Sequence, residues 1–225
     1  MTRCGTTLWL FARMLCAQTG QPTKVELDRI IEDMRAAIKR EDWPEASRIS
    51  IRVNAALLMR LRTQGTPPGE LQHLEMISGK DPITRNPFLA RLAKAAFAAN
   101  EFPRAAVYAQ EALDASKHGV FWWTGDAVHQ GNIVLGGLAL RAGDIEEAKR
   151  RLIAAGRTPG SSNLASGGPN MQLAKDLLDR GEAATVVQYL EECGTFWDGN
   201  RGKLAEWIVL VKAGLKPDFG ANLGY

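Results

Sequence analysis

The strongest constraint in this sequence is an internal repeat, in which a helical pattern, a short turn and a second helical pattern recur three times. The copies lie at residues 89–113, 132–156 and 170–193 and superimpose without gaps. Gly143 and Gly181 fall at the same turn of the second and third copies, where glycine ends a helix readily. Because one helix pair cannot bury its apolar face alone, the repeat predicts an all-α fold of packed helix pairs.

Small residues occupy matching positions of the superposed copies. Two helices approach closely only where their side chains are small, because a large side chain would hold the axes apart. The need for close helix packing explains why small residues recur at these positions of the repeat. The matching sets are Ala93, Gly136 and Ala174 in the first helix, and Ala105, Ala148 and Val186 with Ala112, Ala155 and Cys193 in the second.

At these residues the sequence resembles the tetratricopeptide repeat family. The likeness covers roughly residues 86–195 and, more weakly, the first helix pair, where residues 43–46 (WPEA) match the turn and the start of a second helix. Family repeats are about 34 residues long, whereas Ala105, Ala148 and Val186 are separated by 43 and then 38 residues. The resemblance therefore implies an irregular helix-turn-helix array, or α-solenoid, with extra residues between its repeats.

Sequence patterns outside the repeats divide the rest of the chain. Thr23 and Glu26 have capping-box spacing before an amphipathic helix. Prolines and glycines interrupt a connector that carries one short helix around residues 71–76, and Asn86-Pro87 has the pattern of a helix start. The predicted regions are an N-terminal tail (1–22), a first helix pair (23–62), the connector (63–85), three repeats (86–196), and a capping helix with a tail (197–225).

The predicted capping helix carries Leu204, Trp207, Ile208 and Val211 on one face and ends at Gly214. A repeat array needs such a cap to cover its last apolar face. Phe219 is expected to dock the following tail onto the repeats.

The first residues resemble a secretory signal in outline, with a basic start, an apolar middle and Ala17 before Gln18. Arg13 interrupts the apolar stretch, and its longest run, residues 8–12, has only five residues. We therefore expect a cytoplasmic protein, with export of a signal-bearing chain as the alternative. No other segment approaches the roughly 20 apolar residues of a membrane span, so a polytopic membrane protein is not expected.

The sequence carries no GxSxG, HExxH, Walker or GxGxxG signature. The glycine-rich residues 156–170 could offer backbone N–H groups to a phosphate, but they lack the Lys-Ser/Thr pair that a phosphate loop uses. We interpret them as an inter-repeat loop, with Pro169 starting the next helix. We predict no enzymatic activity, no cofactor and no metal.

The alternative hypothesis is an enzyme or a small-ligand-binding protein that uses residues 121–132 (FWWTGDAVHQGN). Asp126 and His129 would share one helix face in such a site. A zinc site usually needs three or four protein ligands, and the other two histidines form no motif with this pair. The repeat register instead makes the stretch the start of a first helix, beginning at Thr124 or Asp126. Asp126 is then a helix cap, and His129 is hydrogen-bonded or lies at the lip of a groove.

The resemblance implies that a peptide or protein partner binds on a concave surface lined by the first helix of each pair. Four of the nine groove-facing positions are cationic, which suits an acidic group on the partner. Solvated helix faces are the alternative interpretation. Nucleic acid, stacked on Phe97, Trp122 and Trp123, is disfavoured by a net charge of only +3. The nine positions are Arg91, Lys94, Phe97, Gln130, Ile133, Gly137, Arg141, Met171 and Lys175, with His129 at the lip.

Overall fold

The computed structural model of this chain describes residues 23–61 and 69–224. Throughout these ranges the regular secondary structure is helical, which confirms the predicted all-α class. The signal-like residues 1–17 lie outside the described ranges. None of the described helices combines the length and the apolar character needed to cross a membrane.

The helices differ widely in length, and three short 3₁₀ segments connect or follow them. In chain order they are α1 (Lys24–Lys39), α2 (Trp43–Leu61), α3 (Glu70–Ser78), α4 (Pro82–Arg85), α5 (Leu89–Ala98), α6 (Phe102–Ala115), α7 (Thr124–Arg141), α8 (Ile145–Gly156), α9 (Ser162–Gly167), α10 (Gln172–Leu178), α11 (Ala183–Cys193) and α12 (Lys203–Lys212). The 3₁₀ segments are Asn86–Phe88, Asp198–Asn200 and Gly220–Leu223.

The described residues form two compact units, 23–61 and 69–224. In the first unit, α1 and α2 pack against each other. The predicted capping box begins α1: the Glu26 N–H donates to Thr23 Oγ1 at 3.2 Å, and the Thr23 N–H donates to the Glu26 carboxylate at 2.7 Å. The Thr23 hydroxyl also donates to this carboxylate, and the two bonds from Thr23 favour its charged form and lower the pKa of Glu26.

The turn inside each helix pair has one recurring geometry. A single residue at the end of the first helix enters the left-handed region, and the next residue donates its N–H to the carbonyl five positions earlier, at 2.9 to 3.0 Å. This closure satisfies carbonyl groups that the end of a helix leaves unpaired. The left-handed residues are Glu41, Asn100, Gly143 and Gly181, with φ of 56°, 60°, 84° and 85°. The predicted helix pairs are therefore confirmed at their turns.

Successive pairs of the second unit pack against one another. Helix α7 contacts both α5 and α6, α10 contacts both α7 and α8, and α11 packs between α8 and α12. The small residues predicted to allow this approach in the second helices are fully buried: Ala105, Ala148, Val186, Ala112, Ala155 and Cys193.

The C-terminal part closes the core of the second unit. Leu204, Trp207 and Val211 of α12 are buried, which confirms most of the predicted apolar face, while Ile208 is only partly buried. Phe219 is also buried, with its ring edge-on to Trp207 at 5.0 Å between centroids. The tail is thus docked as the sequence predicts.

Two helix boundaries differ from the prediction. The helical run before α5 begins at Pro82 rather than at Asn86-Pro87, because Asp81 already caps it by accepting the Ile83 N–H at 3.0 Å. The predicted connector therefore contains α4 as well as α3. The glycine-rich loop contains the short helix α9, and α10 begins at Gln172 rather than at Pro169.

Candidate functional site

A pocket of about 190 Å³ opens where α5, α7 and α10 meet the C-terminal tail. Four of the predicted partner-binding residues line it together: Lys94, Phe97, Gln130 and Ile133. Gly137, the fifth predicted position in this wall, lies beside the Phe97 ring. The further lining residues are Ala98, Val134, Asn170, Gln172, Leu173, Asp176 and Leu223.

The pocket contains charged and polar groups with unused hydrogen-bonding capacity. Lys94 is half-buried and donates from its ammonium to the Gly224 carbonyl at 2.7 Å, and burial lowers the pKa of this lysine. Gln130 is only 8% exposed, and its side-chain amide makes no hydrogen bond within the described part of the chain. Asp176 accepts one hydrogen bond, from Gln172 Nε2 at 2.8 Å.

The tail forms one wall of the pocket through main-chain and amide contacts. Asn222 is buried, and its Nδ2 donates to the carbonyls of Gly167 and Pro169, at 3.1 Å in each case. The Asn222 carbonyl accepts from the Met171 N–H at 2.9 Å. These bonds hold Leu223 at the pocket edge.

Replacing Asn222 with alanine is expected to lower the free energy of unfolding by about 2 kcal/mol, because the buried Pro169 carbonyl and the less buried Gly167 carbonyl lose their donor. Urea denaturation would measure the loss. Gln110→Ala is the matched control, since the Gln110 amide bonds Asp114 on an exposed surface. Equal effects of the two substitutions would contradict the structural role of Asn222.

His129 lies in the core rather than at the lip of the groove, so that prediction is wrong. It is 1% exposed, with Nδ1 at 3.1 Å from the Ala155 carbonyl and Nε2 accepting the Asn170 N–H at 3.0 Å. These partners require a neutral ring protonated at Nδ1. Burial lowers the pKa of His129 to about 4. The rings of Tyr189 and Phe196 pack nearby, at 6.5 and 6.2 Å between centroids.

Asp126 anchors the glycine-rich loop instead of capping α7. It accepts from Ser161 Oγ at 2.8 Å and from Asn163 Nδ2 at 3.0 Å. Burial raises the pKa of this carboxyl, and the two hydrogen bonds oppose the rise. Thr124 begins α7, as one of the two predicted starts, and its hydroxyl accepts the Phe121 N–H at 2.8 Å. Asp126 and His129 therefore belong to separate hydrogen-bond networks.

The remaining predicted residues do not line the pocket. Met171 is fully buried and precedes α10, so its predicted exposure to a partner is wrong. Arg91 pairs with Glu70 at 3.5 Å, and Lys175 with Asp179 at 3.0 Å. Arg141 lies over the Phe102 ring, 4.1 Å from its centroid. Each of these three cationic side chains interacts with a protein group outside the pocket.

Aromatic residues before α7 also serve packing. Trp123 is 3% exposed and stacks on Phe121, with 5.2 Å between ring centroids and an interplanar angle of 5°. It is therefore not available as a stacking platform for a nucleic-acid base, and neither residue lines the pocket.

Within residues 23–61 and 69–224, no group of three or more His, Cys, Asp or Glu side chains is arranged to hold a metal ion. Comparison with protein-family models, curated proteins and solved structures found no match to this chain. Sequence reasoning missed the pocket residues Asn170, Asp176 and Leu223. The first and last of these lie outside regular α-helix, where helical periodicity provides no signal.

Proposed function

We propose that this chain is a non-enzymatic interaction module that binds a peptide segment of a protein partner in the groove formed by α5, α7 and α10. One observation carries the proposal. The resemblance to the tetratricopeptide repeat family implies that Lys94, Phe97, Gln130 and Ile133 face the groove, and these four residues line one pocket. The proposal includes a tetratricopeptide-like array, in which these helices form the concave side.

The groove offers a peptide both apolar and polar contacts. Phe97 and Ile133 provide apolar surface, and the Gln130 amide can donate to and accept from a peptide backbone. The Lys94 ammonium has three N–H donors and uses one on Gly224. Its remaining donors would bond an acidic group on the partner, and a charge-assisted bond is stronger than a neutral one.

A selection of random peptides on the immobilised protein tests the proposal. The wild type is expected to enrich related sequences, and Lys94→Glu should reduce the affinity of the enriched peptides by about tenfold or more, because a charge-assisted bond is replaced by repulsion. Lys117→Glu makes the same charge change at an exposed position outside the pocket and should leave the affinity unchanged. Failure to enrich any sequence, or equal affinities in the two variants, would contradict the proposal.

A further inference from the structure

The side chain of Gln130 is the least explained polar group of the pocket. The residue is 8% exposed and lines an open cavity, and its amide has no hydrogen-bond partner among the described residues, so the polar atoms stay reachable by solvent through the cavity. Its neighbours on α7 differ in this respect, because His129 is bonded at both ring nitrogens and Asn132 donates to the Val128 carbonyl at 2.9 Å. An amide that bonds no described residue can donate to and accept from a polar group on a molecule that enters the cavity.

Two opposite charges face the same cavity. Lys94 donates to the neutral Gly224 carbonyl and makes no close ion pair with a described carboxylate, although the more distant Glu70 carboxylate attracts it. The Oδ2 atom of Asp176 has no hydrogen-bond donor in the part of the chain that is described, whereas Oδ1 accepts from Gln172. A ligand carrying one charge would leave the other pocket charge unmatched. A ligand carrying both a carboxylate and an ammonium would complement both.

Apart from Asn170 and Gln172, the rest of the lining is apolar, and it limits the size of the ligand. Phe97, Ile133, Val134, Leu173 and Leu223 contribute side chains to the walls. An apolar cavity of about 150 Å³ holds a molecule of the size of benzene, so the 190 Å³ found here suits one aliphatic side chain with its polar groups. Nucleotides and larger cofactors exceed this space.

We propose that this pocket binds a small zwitterion with an aliphatic body, such as an α-amino acid of the size of leucine. Its carboxylate bonds Lys94 and Gln130, its ammonium faces Asp176, and its side chain packs between Phe97, Ile133 and Leu173. The site goes beyond the proposed peptide binding and does not depend on it, since a free amino acid needs only the pocket and not the rest of the groove.

Titration calorimetry with L-leucine tests the site. We expect a dissociation constant on the order of 1 mM, as suits a ligand with so few heavy atoms. The analogues 4-methylpentanoate, which lacks the ammonium, and 3-methylbutylamine, which lacks the carboxylate, should each bind about tenfold more weakly or worse. Equal binding of leucine and either analogue would overturn the proposal.

Binding of the dipeptide Gly-Leu distinguishes between two kinds of zwitterion that could occupy the pocket, a free amino acid and a short peptide. Its ammonium and carboxylate are further apart than those of leucine. Tighter binding of the dipeptide would assign the site to the two ends of a short peptide, and tighter binding of leucine to a free amino acid. Either result supports a zwitterion site, and binding of neither ligand overturns it.

Gln130→Leu separates a ligand-binding role from a structural one. Because the amide has no hydrogen-bond partner among the described residues, its replacement by an apolar side chain of similar size should preserve or raise the melting temperature. Leucine binding should nevertheless weaken by about tenfold. Gln110→Leu, on the exposed face of α6, is the matched control and should leave binding unchanged. Unchanged leucine affinity in Gln130→Leu would refute the assignment, whatever peptides the groove selects.

Discussion

Lowering the pH from about 7 to about 4 is expected to reduce the free energy of unfolding by about 3 kcal/mol through His129 alone. The folded protein holds this histidine neutral and fully buried, with its pKa lowered to about 4 from the ordinary 6.5. Between these two values the unfolded chain binds more protons than the folded protein. The contribution of His129 to the free energy of unfolding is therefore complete above the unfolded pKa and declines as the pH falls from about 6.5 to about 4.

Urea denaturation at a series of pH values would measure this effect. His129→Gln is the informative variant, because an amide can donate to the Ala155 carbonyl and accept from the Asn170 N–H but does not titrate. The difference in stability between the two proteins should shrink as the pH falls. Asp126 acts with the opposite sign, since its pKa is raised, but it is present in both proteins and cancels in the comparison. Parallel pH profiles would disprove the buried neutral histidine.

Gly125→Ala is expected to destabilise the fold by about 3 kcal/mol, although alanine in place of glycine usually stabilises a helix by about 1 kcal/mol. Gly125 lies in the first turn of α7, where a Cβ atom would overlap with the backbone carbonyl of Gly160. The Thr158 hydroxyl also donates to the Gly125 carbonyl at 2.7 Å. The loop therefore cannot move away without breaking this bond and those to Asp126.

Thermal and urea unfolding of the purified variant would test the sign as well as the size of the change. Gly224→Ala is the control, because the nearest atom to an added Cβ lies 3.9 Å away and the backbone φ is negative. Its effect should stay within about 0.5 kcal/mol. A stabilised Gly125→Ala protein would show that the glycine-rich loop does not pack tightly against α7.

The helix pairs could be predicted because their signals are local. Thr23 with Glu26 and Asp144 with the Glu147 N–H form caps within one turn, at positions that the spacing alone identifies. Gly143 and Gly181 end their helices because glycine enters the left-handed region at little cost. Each of these effects depends on residues a few positions apart in the chain.

The pocket was only partly predictable. Lys94, Phe97, Gln130 and Ile133 are among the groove-facing positions that the resemblance to the tetratricopeptide repeat family implies, and all four line the pocket. The predictions that Met171 and His129 contact a partner were wrong because the insertion at residues 157–170 folds back onto α7. That insertion covers His129 through Asn170 and places Met171 in the core. No periodic pattern in the sequence predicts that the insertion packs against α7.

The all-α class and the helix pairs could be predicted from hydrophobic periodicity and local capping, which act within a few residues of the chain. The resemblance to a repeat family added the faces of α5 and α7 that line the pocket. Three features depend on long-range packing: Asp126 anchors the loop, His129 is a buried neutral ring, and Leu223 forms a wall of the pocket. Their partners are distant in sequence, as in the contact between Lys94 and Gly224. Such contacts depend on how the loop and tail pack, and packing is a property of the folded chain as a whole.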